Sequence, residues 1–150
     1  MKRSAGILLY KRDADGLRVL LAHPGGPFWR NKDAGSWTIP KGEIGDHEDA
    51  LAAAIREFAE ETGVVLDGDF MPLGEIRQKG GKTVIAFAQE RDSDPAAFAS
   101  NTFEIEWPPR SGRRQTFPEI DRAEWFDLDT ARAKINPSQA ELLDRLVENS

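Results

Sequence analysis

The chain has 150 residues, a length that favours one domain over residues 1–150 with room for a hydrophobic core. It carries 26 acidic and 20 basic side chains, and this net charge of −6 excludes a general binder of duplex nucleic acid, which needs a basic surface. The absence of cysteine excludes disulfides and thiolate metal sites, and no apolar run is long enough to span a membrane, so we expect a cytoplasmic protein without a membrane partner.

Two apolar segments open the chain, and they predict a β-hairpin. Residues 4–10 and 17–23 are β-prone, and residues 11–16 between them contain Asp13, Asp15 and Gly16, which favour a turn. Residues 28–36 follow as a loop. Its Phe28 and Trp29 either stack a nucleobase beside the basic residues of the loop or pack beneath it as a small core. Residues 37–39 predict a short strand that ends at a proline, with residues 41 and 42 in a turn.

A helix is predicted next, and it has two distinct faces. Asp46 or Asp49 is suited to the N-cap, and Gly63 is placed to end the helix in the left-handed conformation. Apolar and small residues predict a buried stripe that consists of Leu51, Ile55, Phe58 and Thr62.

The other face of this helix carries three carboxylates. Glu57, Glu60 and Glu61 are spaced i, i+3 and i+4, which places them within about one turn of each other. Like charges at this spacing repel, so the pattern indicates either a solvated acidic face or a divalent cation that neutralises it. Carboxylate oxygens suit hard ions, which favours Mg²⁺, with Mn²⁺ as an alternative.

The second half of the chain predicts further strands and two short helices. Residues 73–78 and 83–88 read as a hairpin, residues 102–107 alternate as a half-buried strand, and residues 108–115 form a basic loop. Residues 123–126 predict a strand, followed by a helix to residue 134 with Asp127 or Asp129 as its cap. The sequence after Asn136 predicts a final helix whose inward face consists of Leu142, Leu143, Leu146 and Val147. The pattern predicts an α+β fold with helices packed on a central sheet.

The stretch from residue 42 to residue 64 resembles the signature of the Nudix hydrolases. That signature is Gly, five residues, Glu, seven residues, Arg-Glu, an apolar residue, any residue, Glu-Glu, any residue, Gly and an apolar residue. Every specified position is filled, by Gly42, Glu48, Arg56, Glu57, Phe58, Glu60, Glu61, Gly63 and Val64. The resemblance implies an α/β/α sandwich around a mixed sheet, and metal-dependent hydrolysis of a nucleoside diphosphate linked to another moiety.

The resemblance also implies roles for these residues. Glu57, Glu60 and Glu61 are the expected principal metal ligands, and a backbone carbonyl beside Gly42, where a tight turn is expected, lies near the metal. Arg56 orients a glutamate through a salt bridge, and Glu48 is a candidate ligand of a further metal ion.

A further ligand of such sites lies outside the motif, at an acidic residue six positions before an aromatic residue. Counting back from Trp125 gives Glu119, which is expected to bind metal or to act as general base. Glu57 is the competing base, and the sequence leaves the choice open. Glu57, Glu61, Glu119 and Arg56 are therefore the candidate catalytic residues.

Substrate choice is expected to depend on residues outside the motif. Candidates are Trp29 for a base and, for phosphates, Lys41 and the basic-loop residues Arg110, Arg113 and Arg114. Residues 4–10 and 37–43 resemble the nucleoside triphosphate and diadenosine polyphosphate branches. The Pro or Tyr that often marks the ADP-ribose and dinucleoside polyphosphate subfamilies shortly past the motif is missing from residues 77–81, which weakens both of these assignments. The alternatives are a non-catalytic nucleotide-binding or regulatory module, or a hydrolase acting on ADP-ribose or on RNA 5′ ends. The oligomeric state stays open.

Overall fold

A mixed six-stranded sheet forms the centre of the structure, a computed structural model that describes residues 3–150. Its strands, numbered along the chain, are β1 (Arg3–Asp13), β2 (Gly16–Pro24), β3 (Lys41–Glu43), β4 (Met71–Arg77), β5 (Thr83–Glu90) and β8 (Ile120–Asp127). A separate two-stranded sheet contains β6 (Thr102–Glu106) and β7 (Arg114–Pro118). The helices are α1 (Ala50–Thr62), α2 (Leu128–Lys134) and α3 (Glu141–Asn149).

The strand order of the central sheet is β4-β5-β1-β2-β8, with β3 beside the first residues of β1. Only β1 and β5 are parallel, and the other pairs are antiparallel. The predicted first hairpin is confirmed, since Asp13 pairs with Gly16 across a two-residue turn. The second predicted hairpin is confirmed as β4 and β5.

Helices cover both faces of this sheet. On β1, Ile7 and Leu9 pack in one core cluster with Phe58 of α1, while Leu8 packs in the other cluster with Leu142 of α3. A strand buried on both faces reads as a continuous apolar run, which is what residues 7–9 show. The expected α/β/α sandwich is therefore confirmed.

Helix α1 begins and ends at two of the predicted residues. The Asp49 side chain accepts a hydrogen bond from the Ala52 amide at 3.2 Å, so Asp49 and not Asp46 is the N-cap. Gly63 ends the helix with a φ of 80°. The fully buried residues are Ala53, Ala54, Phe58 and Thr62, while Leu51 and Ile55 are half-buried. The small alanines thus let the helix lie close to the sheet.

The chain between residues 37 and 43 differs from the prediction. Residues 37 and 38 form only isolated bridges, whereas Lys41 and Gly42, expected in a turn, belong to the strand Lys41–Glu43, which pairs with residues 4–6 of β1. The reason is tertiary, because the first residues of β1 offer a free edge that no local pattern reveals.

Two further boundaries differ. Arg114 begins β7 and does not lie in the basic loop, and α3 is preceded by a 3₁₀ turn over residues 137–139. Val147, expected inward, is 47% exposed because Leu142, Leu143 and Leu146 occupy the face toward the sheet and Val147 is rotated by about 100° from Leu146. No helix within residues 3–150 is both long and apolar enough to cross a membrane. That the whole chain forms one domain stays a prediction.

Neighbouring residues of α3 offer a test of this packing. Leu146→Ala removes a fully buried side chain and should lower the free energy of unfolding by about 2–5 kcal/mol. Val147→Ala removes a half-exposed one and should change it by less than about 1 kcal/mol. Urea unfolding of both variants measures the difference, and equal losses would contradict the orientation of the helix.

Candidate active site

Gly42 provides space for a carboxylate where β3 meets helix α1. A Cβ atom at this position would lie 2.0 Å from Oε2 of Glu57, which no side chain could tolerate without moving that carboxylate. Gly42 pairs with Ala5 in the sheet, and its φ is not in the left-handed region. The expected tight turn at Gly42 is therefore wrong, because glycine is needed here for the close approach of Glu57.

The guanidinium of Arg56 connects three glutamates of this region. Its Nε and Nη2 donate to the two oxygens of Glu48, each at 2.9 Å. Its Nη1 donates to Glu57 at 2.9 Å and to Glu60 at 3.2 Å, and Nη2 also donates to the Glu43 carbonyl at 3.0 Å. The expected salt bridge of Arg56 is present, and it offsets the repulsion along the acidic face.

Glu48 has both carboxylate oxygens engaged. Besides Arg56, its Oε1 accepts a hydrogen bond from the Gly45 amide at 2.8 Å. The Arg56 guanidinium and then this amide lower the pKa of Glu48 to about 2. These contacts favour a role in holding Arg56, while a role of Glu48 as metal ligand stays a prediction.

Glu61 is the most perturbed carboxyl of the cluster. Burial, together with the charges of Glu57 and Glu119, raises its pKa to about 8 against the opposing effects of the Lys41 amine and backbone amide. Burial also raises the pKa of Glu57, with the neighbouring Glu60 adding to the effect. Both shifts disfavour the ionised carboxylates, and a cation bound beside them would oppose these shifts.

Lys41 lies beside this cluster. Burial lowers the pKa of its amine, the nearby Lys82 lowers it further, and the charges of Glu61 and Glu57 oppose both effects. Lys41 was expected to contact phosphates, and the structure places it where the carboxylates meet a neighbouring cleft.

Glu119 reaches the same region through the backbone. Its amide donates to the Asn101 carbonyl at 2.8 Å, and the Asn101 amide donates to the Glu60 carbonyl at 2.8 Å. The Glu119 carbonyl accepts from the Gly25 amide at 2.9 Å. Asn101 therefore joins the end of α1 to Glu119, a link that no sequence pattern indicated. Within residues 3–150 no hydrogen bond or ion pair engages the Glu119 carboxylate.

A cleft of about 500 Å³ opens beside Lys41. Trp29 and Lys41, both predicted, line it together with Lys79 and Lys82 of the turn between β4 and β5. No ion pair engages Lys79 or Lys82 among the described residues. The sequence analysis missed these two lysines because they flank a Gly-Gly pair that was interpreted only as a hairpin turn. Their charge at the tip of a turn was the available signal.

The buried side chain of Gln139 fixes one wall of the cleft. Its Oε1 accepts from the Ile39 amide at 3.1 Å, and its Nε2 donates to the Thr38 hydroxyl at 2.8 Å. The wall is thus attached to the residues immediately before Lys41.

The three arginines of the predicted basic loop do not join the carboxylate cluster. Arg114 forms an ion pair with Glu104 across the β6–β7 hairpin, and Arg110 and Arg113 lie in its connecting turn. The five residues of β7 separate Arg113 from Glu119, which corresponds to about 20 Å along the strand. A phosphate contact by these arginines stays a prediction.

The donor set fits a hard divalent cation, but its side chains face Arg56. No group of three Asp, Glu or His side chains within residues 3–150 converges closely enough to hold an ion in this arrangement. Arg56 engages Glu57 and Glu60, so a bound cation would compete with its guanidinium for these two carboxylates. Oxygen ligands with excess negative charge suit Mg²⁺ or Mn²⁺.

A family model described as the NUDIX domain matches residues 1–146. The chain belongs to the Nudix family. With every specified position of the Nudix motif filled, it is a Nudix hydrolase, an enzyme that acts on pyrophosphate bonds.

Solved structures show the same Nudix fold. The Ap4A hydrolase of C. elegans, in a binary complex, is 21% identical over 99% of this chain and 96% of its own, with a TM-score of 0.64. The NUDIX domain of Shewanella oneidensis NrtR, complexed with ADP ribose, is 19% identical over 97% and 86%, with a TM-score of 0.66. A MutT/nudix family protein from Listeria innocua is 20% identical over 98% and 92%, with a TM-score of 0.64. Identities this low support the fold and not the substrate.

Gly42→Ala tests the close approach of Glu57. The new Cβ would displace the Glu57 carboxylate, so activity should fall by about 100-fold or more, the effect of losing a positioned catalytic group. Gly45→Ala is the matched control, because its Cβ would lie 3.2 Å from Oε1 of Glu48, a contact that a shift of a few tenths of an ångström relieves. Circular dichroism should show both variants folded, and equal activity of the two would contradict the role of Gly42.

The raised pKa of Glu61 predicts a pH-dependent stability of the metal-free protein. Its folded pKa of about 8 exceeds the ordinary value of 4.5, so protonated Glu61 stabilises the fold below about pH 4.5 and this contribution disappears as pH rises through 8. The melting temperature in EDTA should therefore fall more steeply from about pH 5 to pH 9 in wild type than in Glu61→Gln. Parallel curves would show that Glu61 does not titrate in this range.

Proposed function

We propose that this Nudix hydrolase is a divalent-metal-dependent pyrophosphohydrolase that cleaves a nucleoside triphosphate or a dinucleoside polyphosphate. The observation that carries the proposal is the group of carboxylates around the half-buried Glu61, next to a cleft lined by Trp29 and three lysines. A bound Mg²⁺ or Mn²⁺ would neutralise phosphate oxygens there and lower the pKa of a coordinated water.

The residues of the cluster divide the work. Glu57, Glu60 and Glu61 would hold the cation. Arg56, itself held by Glu48, positions the carboxylates of Glu57 and Glu60 before the cation binds. Gly42 keeps space for Glu57, and a carbonyl beside it is a further candidate ligand. The enzyme thus supplies positioning and electrostatic stabilisation, which account for most catalysis of phosphoryl chemistry.

Glu119 is the general base that we propose. Its carboxylate is exposed and has no partner among the described residues, whereas one oxygen of Glu57 accepts a hydrogen bond from Arg56. A free carboxylate is better placed to take a proton from water. Glu57 is the alternative, and Glu119→Gln and Glu57→Gln separate the two. The rate constant kcat should rise with pH as the general base loses its proton, and only the variant that lacks this base should lose the rise.

The cleft is the proposed nucleotide site. Trp29 offers a ring for the base, and Lys41, Lys79 and Lys82 offer three ammonium groups for the phosphate chain. The turn lysines have no acidic partner among residues 3–150, so their charge is available to a ligand. We also propose a cytoplasmic location, which the absence of cysteine fits.

A substrate panel in ¹⁸O-labelled water with Mg²⁺ or Mn²⁺ tests the proposal. We expect turnover of nucleoside triphosphates or dinucleoside polyphosphates, and the labelled product identifies the phosphorus that water attacks. Glu61→Gln and Glu57→Gln should each lower kcat by about 100- to 10,000-fold. Glu148→Gln, at an exposed position of α3, is the control and should keep full activity.

The same panel distinguishes the alternatives. ADP-ribose belongs in it, since NrtR of Shewanella oneidensis is complexed with that compound. Tight nucleotide binding without turnover would support a regulatory module, and preference for 5′-triphosphorylated RNA would support an RNA-directed enzyme. Full activity of both glutamine variants would overturn the proposal.

A further inference from the structure

The β6–β7 hairpin lies along the loop that follows β2. At its base, a Cβ at Gly25 would lie 2.0 Å from the Pro118 carbonyl oxygen, and a Cβ at Gly26 would lie 2.8 Å from the Phe103 ring. Farther out, the rings of Phe28 and Trp107 meet edge to face, with centroids 5.3 Å apart. The two glycines permit this close approach, so the hairpin and the loop form one continuous surface.

This contact leaves an aromatic surface exposed. Phe28 is 61% exposed although it touches Trp107, so most of its ring faces solvent. A large exposed aromatic beside a second ring is typical of a binding surface. We call the pair of Phe28 and Trp107 the outer platform.

Two arginines flank the outer platform. Arg110 and Arg113 lie in the turn that directly follows Trp107, and no ion pair engages either guanidinium within the part of the chain that the structure describes. The nearby acids are already engaged, since Glu104 pairs with Arg114 and Glu106 accepts the Arg110 amide at 2.8 Å. Free guanidinium groups beside exposed rings suit a ligand with a base and a phosphate.

A second aromatic position lies on the other side of the same loop. Trp29, the neighbour of Phe28, lines the cleft and is 39% exposed, and the Lys32 amine lies 5.0 Å from its ring centroid. Residues of the carboxylate region adjoin both sides of the loop. Lys41 lines the cleft, and Glu119 directly follows the hairpin and is hydrogen-bonded through its backbone to Gly25. Exposed rings and cations without an ion-pair partner among the described residues therefore lie on both sides of this loop, Trp29 with Lys79 and Lys82 in the cleft and Phe28 with Arg110 and Arg113 at the hairpin.

We propose that the outer platform binds the second nucleoside of a dinucleoside polyphosphate, which rests on the pyrophosphohydrolase function proposed above. About 20 Å of strand separate Glu119 from Trp107 and Arg113, which is more than the phosphates of one nucleotide at the carboxylates need. A ligand with an aromatic group at each end and a polyanionic chain between them matches both ends of the surface. The overall charge of −6 favours such a small ligand over RNA.

The test compares two substrates in one set of variants. Phe28→Ala and the double variant Arg110→Gln/Arg113→Gln should each raise KM for a dinucleoside tetraphosphate about tenfold more than KM for the corresponding nucleoside triphosphate. Arg12→Gln, at the far end of β1, is the matched control and should leave the ratio of the two KM values at the wild-type value.

A binding experiment makes the inference independent of turnover. Calorimetry with a non-hydrolysable, methylene-bridged dinucleoside tetraphosphate should show tighter binding than the matching triphosphate analogue, and the two variants should remove this advantage. Equal binding of both analogues by wild type, or equal losses for both in the variants, overturns the inference. Stronger competition by a 5′-triphosphorylated oligoribonucleotide also overturns it. Failure of the proposed function would appear separately, as binding without hydrolysis of either substrate.

Discussion

One guanidinium holds the acidic face of α1 together. The motif places three glutamates within one turn, and a fourth, Glu48, precedes the helix, yet a single cation, Arg56, contacts three of these four carboxylates. Glu61 is the remaining one; it lies half-buried beside Lys41, and burial raises its pKa. The folded helix therefore disfavours the ionised form of this carboxyl, and a divalent cation would relieve that cost.

Contacts within this stretch were largely predictable because they follow helix spacing. Asp49, Gly63 and the glutamate face depend on the geometry of one helix, and a local pattern reports such geometry well. Gly42 was also identified, but because a tight turn was expected there. The structure shows that glycine is needed because the carboxylate of Glu57, fifteen positions farther along the chain, occupies the space where a Cβ would lie. Local reasoning found the residue and missed the contact that explains it.

The contacts that sequence reasoning could not supply all join distant parts of the chain. Lys41–Glu43 become a strand only because β1 lies beside them, and Asn101 connects Glu60 with Glu119 through backbone hydrogen bonds that any residue type can form. Lys79 and Lys82 read as turn residues until the fold brings Lys41 to the same cleft. Tertiary pairing, rather than weak local propensity, explains each of these gaps.

The separation between the helix and the loops assigns different tasks to each. Helix α1 is anchored by Phe58 and packs on a strand buried on both faces, so its carboxylates are held by the most rigid part of the molecule. Trp29 and Phe28 lie on a loop, where residues can change without loss of the core. The proposed chemistry thus depends on the helix, and the proposed site for a second nucleoside depends on how the hairpin packs against Gly25 and Gly26.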